Sequence, residues 1–173
     1  ISVWRTTAEG ESITLPLRSG FNYNFTVDWG DGTSGEITSF DDADITHTYD
    51  SPGDHTVTIS GTMETIYFNN EGDKDKIISI PNLGSVGWTS FKYAFYGCSN
   101  LTTVAGGNTQ SVTDMTGMFA YATNVTPDTS NWITSNVTKL GSLFQYATKA
   151  NPDTSGWDTS SVTNMNNMFY GAT

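Results

Sequence analysis

The sequence predicts a mainly β protein with short helices, in which a small antiparallel β-sandwich is followed by a solenoid with a parallel sheet. Two observations carry this prediction. Polar and apolar residues alternate in several short runs of the first 60 residues, and a phrase of nine residues recurs about every 25 residues in the second half. We therefore place a sandwich region at residues 1–65 and a solenoid of 24–25-residue repeats at residues 66–173.

The first region contains three runs of alternating polar and apolar residues, at 12–17, 24–28 and 56–60. Alternation of this kind is typical of strands that bury one face of a sheet. Gly30, Asp31 and Gly32 follow the second run and supply the residue types that a tight turn needs. The region is therefore expected to fold as short antiparallel strands around a small core.

Three motifs of this region occur in a specific order: Val-Asp-Trp-Gly-Asp-Gly-Thr at 27–33, His-Thr-Tyr at 47–49 and Pro-Gly-Asp-His-Thr-Val-Thr-Ile at 52–59. Together they resemble the polycystic-kidney-disease-type (PKD-like) β-sandwich of many surface proteins, over about residues 3–60. The resemblance implies that Asp31 and Tyr49 serve the fold. His47 and His55 are expected at strand ends, and this region contains no cysteine or third histidine that could complete a zinc site with them.

The second half is organised by a repeat. Ser-Val-Thr-Asp-Met-Thr-Gly-Met-Phe at residues 111–119 is echoed at 136–144 and again at 161–169. Phe119, Phe144 and Phe169 therefore occupy the same position of consecutive units, and Phe95 occupies it in an earlier unit that is slightly shorter. A fixed period in this range indicates stacked units, each of which buries its apolar face against a neighbour.

Apolar residues within one unit recur at intervals of three and four: Val112, Met115, Met118, Phe119 and Ala122. This spacing predicts either one face of a short helix or a 3₁₀-like succession of turns. Short strands are expected at 77–81, 101–104, 125–130 and 150–155, where Gly, Asn or Pro limits their length. Equivalent strands of stacked units would pair in parallel, about 4.8 Å apart.

The array resembles two known bacterial repeats. Residues 95–104 resemble the leucine-rich repeat of bacterial surface antigens. Residues 131–138 and 156–169 resemble the bacterial surface-lipoprotein repeat, whose length of about 26 residues is typical of stacked units. These resemblances cover about residues 77–173 and imply a leucine-rich-repeat-like solenoid.

The array also departs from the second of these families at three positions. Val125 and Ala150 stand where the family places a bulky apolar residue at the start of the strand. Ile133 stands where the family places an aspartate after tryptophan, whereas Asp158 agrees with that pattern. The core is therefore expected to be thinner at the column of Val125 and Ala150.

The chain has 7 basic and 18 acidic residues, which gives a formal net charge of -11. This charge repels nucleic acid and anionic membrane surfaces. No run of about 18 apolar residues is present, so membrane insertion is not expected either. The acidity serves solubility alone, or it reflects the binding of calcium, which prefers oxygen ligands.

Low cysteine content and abundant Thr, Ser, Asn, Asp and Gly are typical of an extracellular bacterial protein. The chain begins at Ile1 without methionine and ends in mid-repeat, so we expect it to be part of a larger protein on the bacterial cell surface. Its one cysteine, Cys98, has no predicted histidine partner, and the sequence contains no nucleophile-elbow, phosphate-loop, zinc-protease or dinucleotide motif. We therefore do not expect an enzyme.

Asp128 and Asp153 occupy equivalent positions, each inside Pro-Asp-Thr-Ser. Stacking would place these carboxylates one strand apart, where they repel each other unless a cation such as Ca²⁺ joins them. Asp158 and Asn131 are further candidate metal ligands, and Asp114 is a candidate to contact the metal or a bound ligand. The alternative is that these residues only serve the turns of the repeat.

Aromatic residues also recur in columns. Trp132 and Trp157 are candidate ligand-binding residues, with packing in the core or at its edge as the alternative. Tyr121 and Tyr146 follow the apolar phrase by two residues and point away from its buried face, so they are candidate ligand-binding residues as well.

A PKD-like sandwich followed by a repeat solenoid resembles the ligand-binding regions near the tips of very large bacterial adhesins. It is also similar to the peptide-binding domains of RTX-type adhesins, in which a calcium ion helps to hold a peptide's terminal carboxylate. These resemblances imply an adhesin module that binds peptide or protein ends on another cell in a Ca²⁺-dependent way. A carbohydrate-binding module that recognises glycans and a structural spacer without a ligand are the alternatives.

Overall fold

The structure is a computed structural model that describes residues 1–172. This part of the chain is mainly β and contains nine short strands: β1 (Ser2–Thr6), β2 (Glu11–Thr14), β3 (Tyr23–Asp28), β4 (Ser34–Ile37), β5 (Thr46–Tyr49), β6 (Gly53–Met63), β7 (Ile77–Ile80), β8 (Thr103–Val104) and β9 (Thr126–Pro127). Its one helical element is the 3₁₀-helix Ala43–Ile45, which precedes β5. The short helices that the fold class included are therefore absent from the repeats as far as residue 172.

Seven strands form one mixed sheet in the order β4-β3-β6-β1-β7-β8-β9, and β2 pairs with β5 in a second sheet. β6 lies between β3 and β1 and is antiparallel to both. β1 also pairs antiparallel with β7, whereas β7, β8 and β9 are parallel to one another. The mixed sheet therefore passes without a break from the first region into the repeats.

The expected alternation is clearest in β3, where Tyr23, Phe25 and Val27 are buried between exposed neighbours. The run at 56–60 forms part of the longer β6, and the run at 12–17 is shortened to β2. β1 and β4 were not expected from the sequence. β1 is nevertheless a central strand, because it hydrogen-bonds to β6 on one side and to β7 on the other.

Successive repeats are joined by parallel backbone pairing. Besides β7, β8 and β9, isolated parallel bridges link Thr65 to Ser90, Ser90 to Asp114, Asp114 to Lys139 and Lys139 to Asn164. Each bridge joins equivalent positions of neighbouring units, so the pairing follows the period read from the sequence. The expected strand at 150–155 does not form, and β8 and β9 are only two residues long.

The apolar phrase of each unit folds as a succession of turns, which is the second of the two expected alternatives. Phe95 N–H donates to Met118 O of the next unit at 2.8 Å, and Phe119 N–H donates to Leu143 O at 2.9 Å. Between these bonds, Ala122 N–H donates back to Phe119 O at 3.0 Å within its own unit. Bonds to the next unit thus alternate with bonds inside the unit. An α-helix would keep all of its backbone bonds inside one unit, so the alternating bonds are what connects the repeats.

Two left-handed residues per unit produce this alternation. They lie four residues apart and form the pairs Tyr93 and Gly97, Gly117 and Tyr121, Ser142 and Tyr146, and Asn167 and Gly171. Their φ angles are positive, for example 61° at Gly117 and 58° at Tyr121. A left-handed residue reverses the curl of the backbone and turns neighbouring peptide groups toward the next unit. The same residues end any helix before it completes two turns.

A single hydrophobic core runs through both regions. Phe95, Phe119, Phe144 and Phe169 stack with ring centroids 5.7, 5.6 and 5.4 Å apart. Phe68 extends this column toward the sandwich region, where its ring lies 5.7 Å from that of Trp4. In the last unit that the structure describes, the equivalents of buried residues are open to solvent: Phe169 is 46% exposed and Met165 42% exposed.

Threonine and asparagine side chains add a second set of bonds between units. Thr138 Oγ1 donates to Thr113 O at 3.1 Å, and Thr163 Oγ1 donates to Thr138 O at 3.1 Å. Asn124 Nδ2 donates to Ser99 O at 2.7 Å. Thr113 O and Thr138 O also accept backbone N–H groups of the next unit, at 2.9 and 2.8 Å, so the threonine hydroxyls add a second bond to these carbonyl groups. The high Thr and Asn content of the repeats therefore has a structural use, since these side chains add hydrogen bonds between units.

Candidate functional site

The acidic column that the sequence predicted consists of two exposed carboxylates in consecutive units. Asp128 Oδ1 accepts hydrogen bonds from Ser130 N–H at 3.1 Å and from Ser130 Oγ at 2.6 Å. Asp153 Oδ1 accepts one from Ser155 N–H at 2.9 Å. These bonds lower the pKa of both carboxyl groups, although the charge of Asp153 acts to raise the pKa of Asp128. Hydrogen bonding within each turn therefore outweighs the repulsion between the two aspartates.

The other predicted metal ligands serve separate turns. Asp158 Oδ1 accepts from Ser160 N–H at 2.9 Å, which lowers its pKa, and Asn131 lies exposed in the turn before Trp132. Asp114 accepts from Thr116 N–H at 2.9 Å and faces Lys139 Nζ of the next unit at 3.5 Å. Within residues 1–172, no three or more His, Cys, Asp or Glu side chains are grouped so that they could hold a metal ion.

The predicted tryptophan pair forms a column inside the molecule. The rings of Trp132 and Trp157 lie 6.2 Å apart and almost parallel, and Trp132 also stacks on Phe119 at 6.3 Å. Trp132 is only 4% exposed, so its ring packs in the core and cannot offer a face to a ligand. This corrects the expectation of a ligand role for Trp132, and packing was the right alternative. Trp157 is half-buried and packs against the same core.

A continuous row of six tyrosines runs along the repeats: Tyr67, Tyr93, Tyr96, Tyr121, Tyr146 and Tyr170. Successive ring centroids are 6.3, 5.8, 5.7, 4.8 and 5.3 Å apart. We call this row the tyrosine ladder. It brings together the predicted Tyr121 and Tyr146 with tyrosines from the neighbouring units. Tyr67 and Tyr93 were not expected, because they occupy different positions of the sequence repeat.

Left-handed residues and glycines position the ladder. Tyr93, Tyr121 and Tyr146 themselves have positive φ angles, which directs their side chains out of the turns. The rings of Tyr93 and Tyr146 then lie over glycines of the following unit, Gly117 and Gly171. A Cβ atom at either glycine would collide with the tyrosine ring above it. The signal that could have revealed the ladder is therefore the pairing of Tyr and Gly in neighbouring units, not the strict period of the repeat.

The ladder is partly open to solvent. Tyr121 is 44% and Tyr170 57% exposed, and the other four tyrosines are half-buried. The neighbouring Tyr170 phenol raises the pKa of Tyr146 because it favours the protonated hydroxyl. A tyrosine hydroxyl can both donate and accept a hydrogen bond. Lys92 Nζ lies 5.5 Å from the centre of the Tyr93 ring, near the end of the ladder closest to the sandwich region.

A polar cluster of the sandwich region has a structural role. Asp31 accepts from Thr33 Oγ1 at 2.6 Å and faces His47 Nε2 at 2.6 Å, and Tyr49 Oη donates to Trp29 O at 2.9 Å. Partial burial acts to raise the pKa of Asp31, but the bonds to Thr33 and His47 lower it to about 2. These contacts tie the turn between β3 and β4 to β5.

The single cysteine is unsuited to act as a nucleophile. Cys98 is fully buried in the first unit of the array, and burial raises the pKa of its thiol well above the ordinary value. The thiolate, which is the reactive form, is therefore suppressed at neutral pH.

Two family models match different parts of the chain. Residues 2–64 match the family model described as the PKD domain. Residues 89–173 match the model described as "Mycoplasma protein of unknown function, DUF285". The chain is similar to each family over less than half of its length, and neither model is described as a leucine-rich repeat or an RTX protein. Searches of curated proteins and of solved structures give no match.

The chain is therefore a β-rich module that is similar to the PKD domain over residues 2–64 and to the DUF285 family over residues 89–173. The two similarities favour an extracellular or surface location. Among the residues that the structure describes, none forms a helix with the length and hydrophobicity that a membrane span requires.

Proposed function

We propose that this module belongs to a bacterial surface adhesin and that its tyrosine ladder binds a peptide or protein segment on another cell. The observation that carries the proposal is the ladder itself, six neighbouring tyrosines that span the repeats with two well-exposed members. Tyrosine is enriched in binding surfaces because a large rigid ring and a hydroxyl come at a low cost in side-chain entropy. In this proposal the repeats form a solenoid whose function is to hold the ladder straight.

The packing of the rings favours a peptide over a sugar. Tyr121 lies between Tyr96 at 5.7 Å and Tyr146 at 4.8 Å, with interplanar angles of 42° and 36°. Both neighbouring rings are tilted against that of Tyr121 and lie close to it, so they leave little room for a sugar to stack flat on its face. A sugar that stacks on an aromatic residue needs an open ring face. Hydroxyls in a row instead suit the amide groups of an extended peptide.

Calcium dependence is the second part of the proposal. It is supported by the register of Asp128 and Asp153, which brings two carboxylates into consecutive units. Each uses Oδ1 in its own turn, which leaves Oδ2 for a cation. Ca²⁺ takes carboxylate oxygens together with backbone carbonyls and water, so two carboxylates can anchor it at an exposed site with open positions for a ligand.

Peptide and glycan arrays, each probed in calcium and in EDTA, test the function. We expect peptide signals that fall about tenfold or more in a Tyr121→Ala, Tyr146→Ala double variant, as loss of two contact residues at an interface implies. Ile133→Ala is the matched control, because Ile133 is also exposed, at 46%, but lies outside the ladder. Glycan signals that need the tyrosines would instead identify a carbohydrate-binding module. The absence of binding on both arrays would indicate a structural spacer without a ligand.

A different variant isolates the calcium part. Asp128→Asn with Asp153→Asn keeps an oxygen acceptor for each turn but removes both negative charges. Peptide binding that depends on calcium should then become weak and insensitive to EDTA. Binding that is the same in EDTA, or unchanged in this double variant, would remove calcium from the mechanism and leave the tyrosine ladder as the sole contact surface.

A further inference from the structure

Arg18 has no acidic partner among residues 1–172, although the chain is strongly acidic. Four of the other basic residues face carboxylates: Arg5 at 2.6 Å, Lys74 at 3.0 Å, Lys76 at 2.8 Å and Lys139 at 3.5 Å. Arg18 forms no such pair within residues 1–172, and its Nε is buried there without a hydrogen-bond partner. The Nε atom itself is out of reach of a ligand, but the Nη groups of Arg18 are not among the buried atoms and donate to no carboxylate of residues 1–172, so an anion can pair with the guanidinium through them.

Two aromatic rings hold the guanidinium of Arg18 in place. Its Cζ atom lies 4.5 Å from the centre of the Phe21 ring and 4.3 Å from that of Tyr67. Stacking on rings fixes the guanidinium plane and leaves the N–H groups at its edge to bind a planar anion. Tyr67 is also the first member of the tyrosine ladder, so this cation stands at the ladder's end nearest the sandwich region.

A cleft opens beside Arg18. Its volume is about 380 Å³, within the range of small-ligand sites, and apolar side chains supply much of its wall: Leu15, Leu17, Ile45 and Phe68. Glu71 is the carboxylate in the lining, and it makes no ion pair with Arg18. An anion that enters this cleft must therefore bring an apolar body with it. Phosphate sites, in contrast, are usually built from backbone N–H groups or several cations.

We propose that Arg18 and this cleft form a carboxylate-binding site, which takes the terminal carboxylate of a peptide that ends in an apolar residue. The site extends the proposed function, because one peptide would lie along the ladder with its carboxylate on Arg18. It stands on separate contacts, however, and requires no metal ion.

Titration of the ¹⁵N-labelled protein with N-acetyl-leucine, followed through the Arg18 Nε–Hε resonance, tests the site. Arg5 is the only other arginine in the sequence, so Arg5→Lys identifies the Arg18 resonance as the one that remains. We expect a saturable shift with N-acetyl-leucine and a response about tenfold weaker with N-acetyl-leucine amide, which has the same apolar body but no charge. Inorganic phosphate should also be about tenfold weaker. No saturable shift, an equal response to the amide, or a stronger response to phosphate would each overturn the proposal.

Variants supply the second readout. Arg18→Gln and Arg18→Lys should each weaken N-acetyl-leucine binding about tenfold, because the first removes the charge and the second removes the planar fork. Lys149→Gln is the matched control for charge, since Lys149 is exposed and three units away along the array. Equal binding by Arg18→Gln and the unaltered protein contradicts the site. If the Arg18 variants do not fold, the titration of the unaltered protein decides alone.

The two proposals fail separately. The Tyr121→Ala, Tyr146→Ala variant should keep its affinity for N-acetyl-leucine, because both tyrosines lie beyond the cleft. Loss of array binding with retained N-acetyl-leucine binding supports both the ladder and the site. Array binding that survives Arg18→Gln unchanged would remove Arg18 from the contact with the natural ligand.

Discussion

The ring of Tyr93 lies over Gly117 of the following unit, and a Cβ atom at that glycine would come within 2.5 Å of Tyr93 Cδ1. The same relationship joins Tyr146 to Gly171. Each of these glycines also has a positive φ, 61° and 70° respectively. Each of these positions therefore has to adopt a positive φ and has to leave room for the tyrosine ring, and only glycine meets both requirements.

Gly117→Ala should consequently destabilise the protein by more than backbone strain alone. A left-handed alanine costs about 1 kcal/mol, and displacement of the Tyr93 ring adds about 1–3 kcal/mol. Gly10→Ala is the control for strain, because φ is 71° there and the space is open. Gly156→Ala, with open space and no positive φ, is the control for the substitution itself. In urea denaturation, the free energy of unfolding of Gly117→Ala should be well below that of both control variants. Equal stability of Gly117→Ala and Gly10→Ala would contradict the ring contact.

The phenylalanine column offers an internal comparison of burial. Phe144 is fully buried between Phe119 and Phe169, whereas Phe169 is 46% exposed. Phe144→Ala should therefore cost about 3–5 kcal/mol of unfolding free energy through lost burial and a cavity. Phe169→Ala should cost about 1 kcal/mol, since much of its ring already contacts water. Chemical denaturation of the two variants measures the difference, and similar losses would show that the column does not carry the core.

Thr138 tests the side-chain bonds between units. Its Oγ1 donates to Thr113 O at 3.1 Å, so Thr138→Val removes a hydrogen bond while keeping the shape of the side chain. We expect a loss of about 1 kcal/mol, and Thr138→Ser should retain most of the stability because it keeps the hydroxyl. A valine variant as stable as the natural protein in urea denaturation would mean that the threonine columns contribute nothing measurable.

Acid should weaken the sandwich region through Asp31. Its pKa is about 2 in the folded protein against an ordinary value of 3.8, so the unfolded chain binds the proton more tightly. The stabilisation is therefore present above pH 3.8 and is lost as the pH falls toward 2. We estimate about 1 kcal/mol, discounted because the carboxylate is partly exposed.

Unfolding free energies of the natural protein and of Asp31→Asn between pH 2 and pH 6 measure this contribution. The variant should lose part of the stability at pH 6 and show a shallower decline with acid. Asp50→Asn is the matched control, because it makes the same change of charge at an exposed aspartate. Parallel pH profiles of Asp31→Asn and the natural protein would contradict the role assigned to the Thr33 and His47 contacts.

Much of the architecture follows from patterns that lie within the sequence. Parallel pairing between equivalent positions of successive units and the column from Phe95 to Phe169 follow from the repeat. The sequence did not decide between a short helix and a succession of turns, because apolar residues spaced three and four apart occur in both structures. Tyr121, Ser142 and Tyr146 occupy left-handed positions that these residue types seldom adopt, so no local signal marked them.

The candidate sites were harder to predict from the sequence than the fold was. Asp128 and Asp153 were correctly placed in consecutive units, but only the structure shows that each carboxylate already caps its own turn. Trp132 and Trp157 recur at the same interval as Tyr121 and Tyr146, and the interval alone does not distinguish a buried column from an exposed one. Arg18 was not singled out at all, because it lies in a non-repeating segment far in sequence from Tyr67.

The sequence by itself determined the mainly β character, the period of the repeats and the net negative charge, because each is a property of local pattern or of composition. The tertiary structure alone decided which aromatic columns face solvent and that Arg18 lies between two aromatic rings. Those properties depend on what the next unit places above each side chain. The distance between Tyr96 and Tyr121, or between Arg18 and Tyr67, is set by packing between segments that the chain brings together only when it folds.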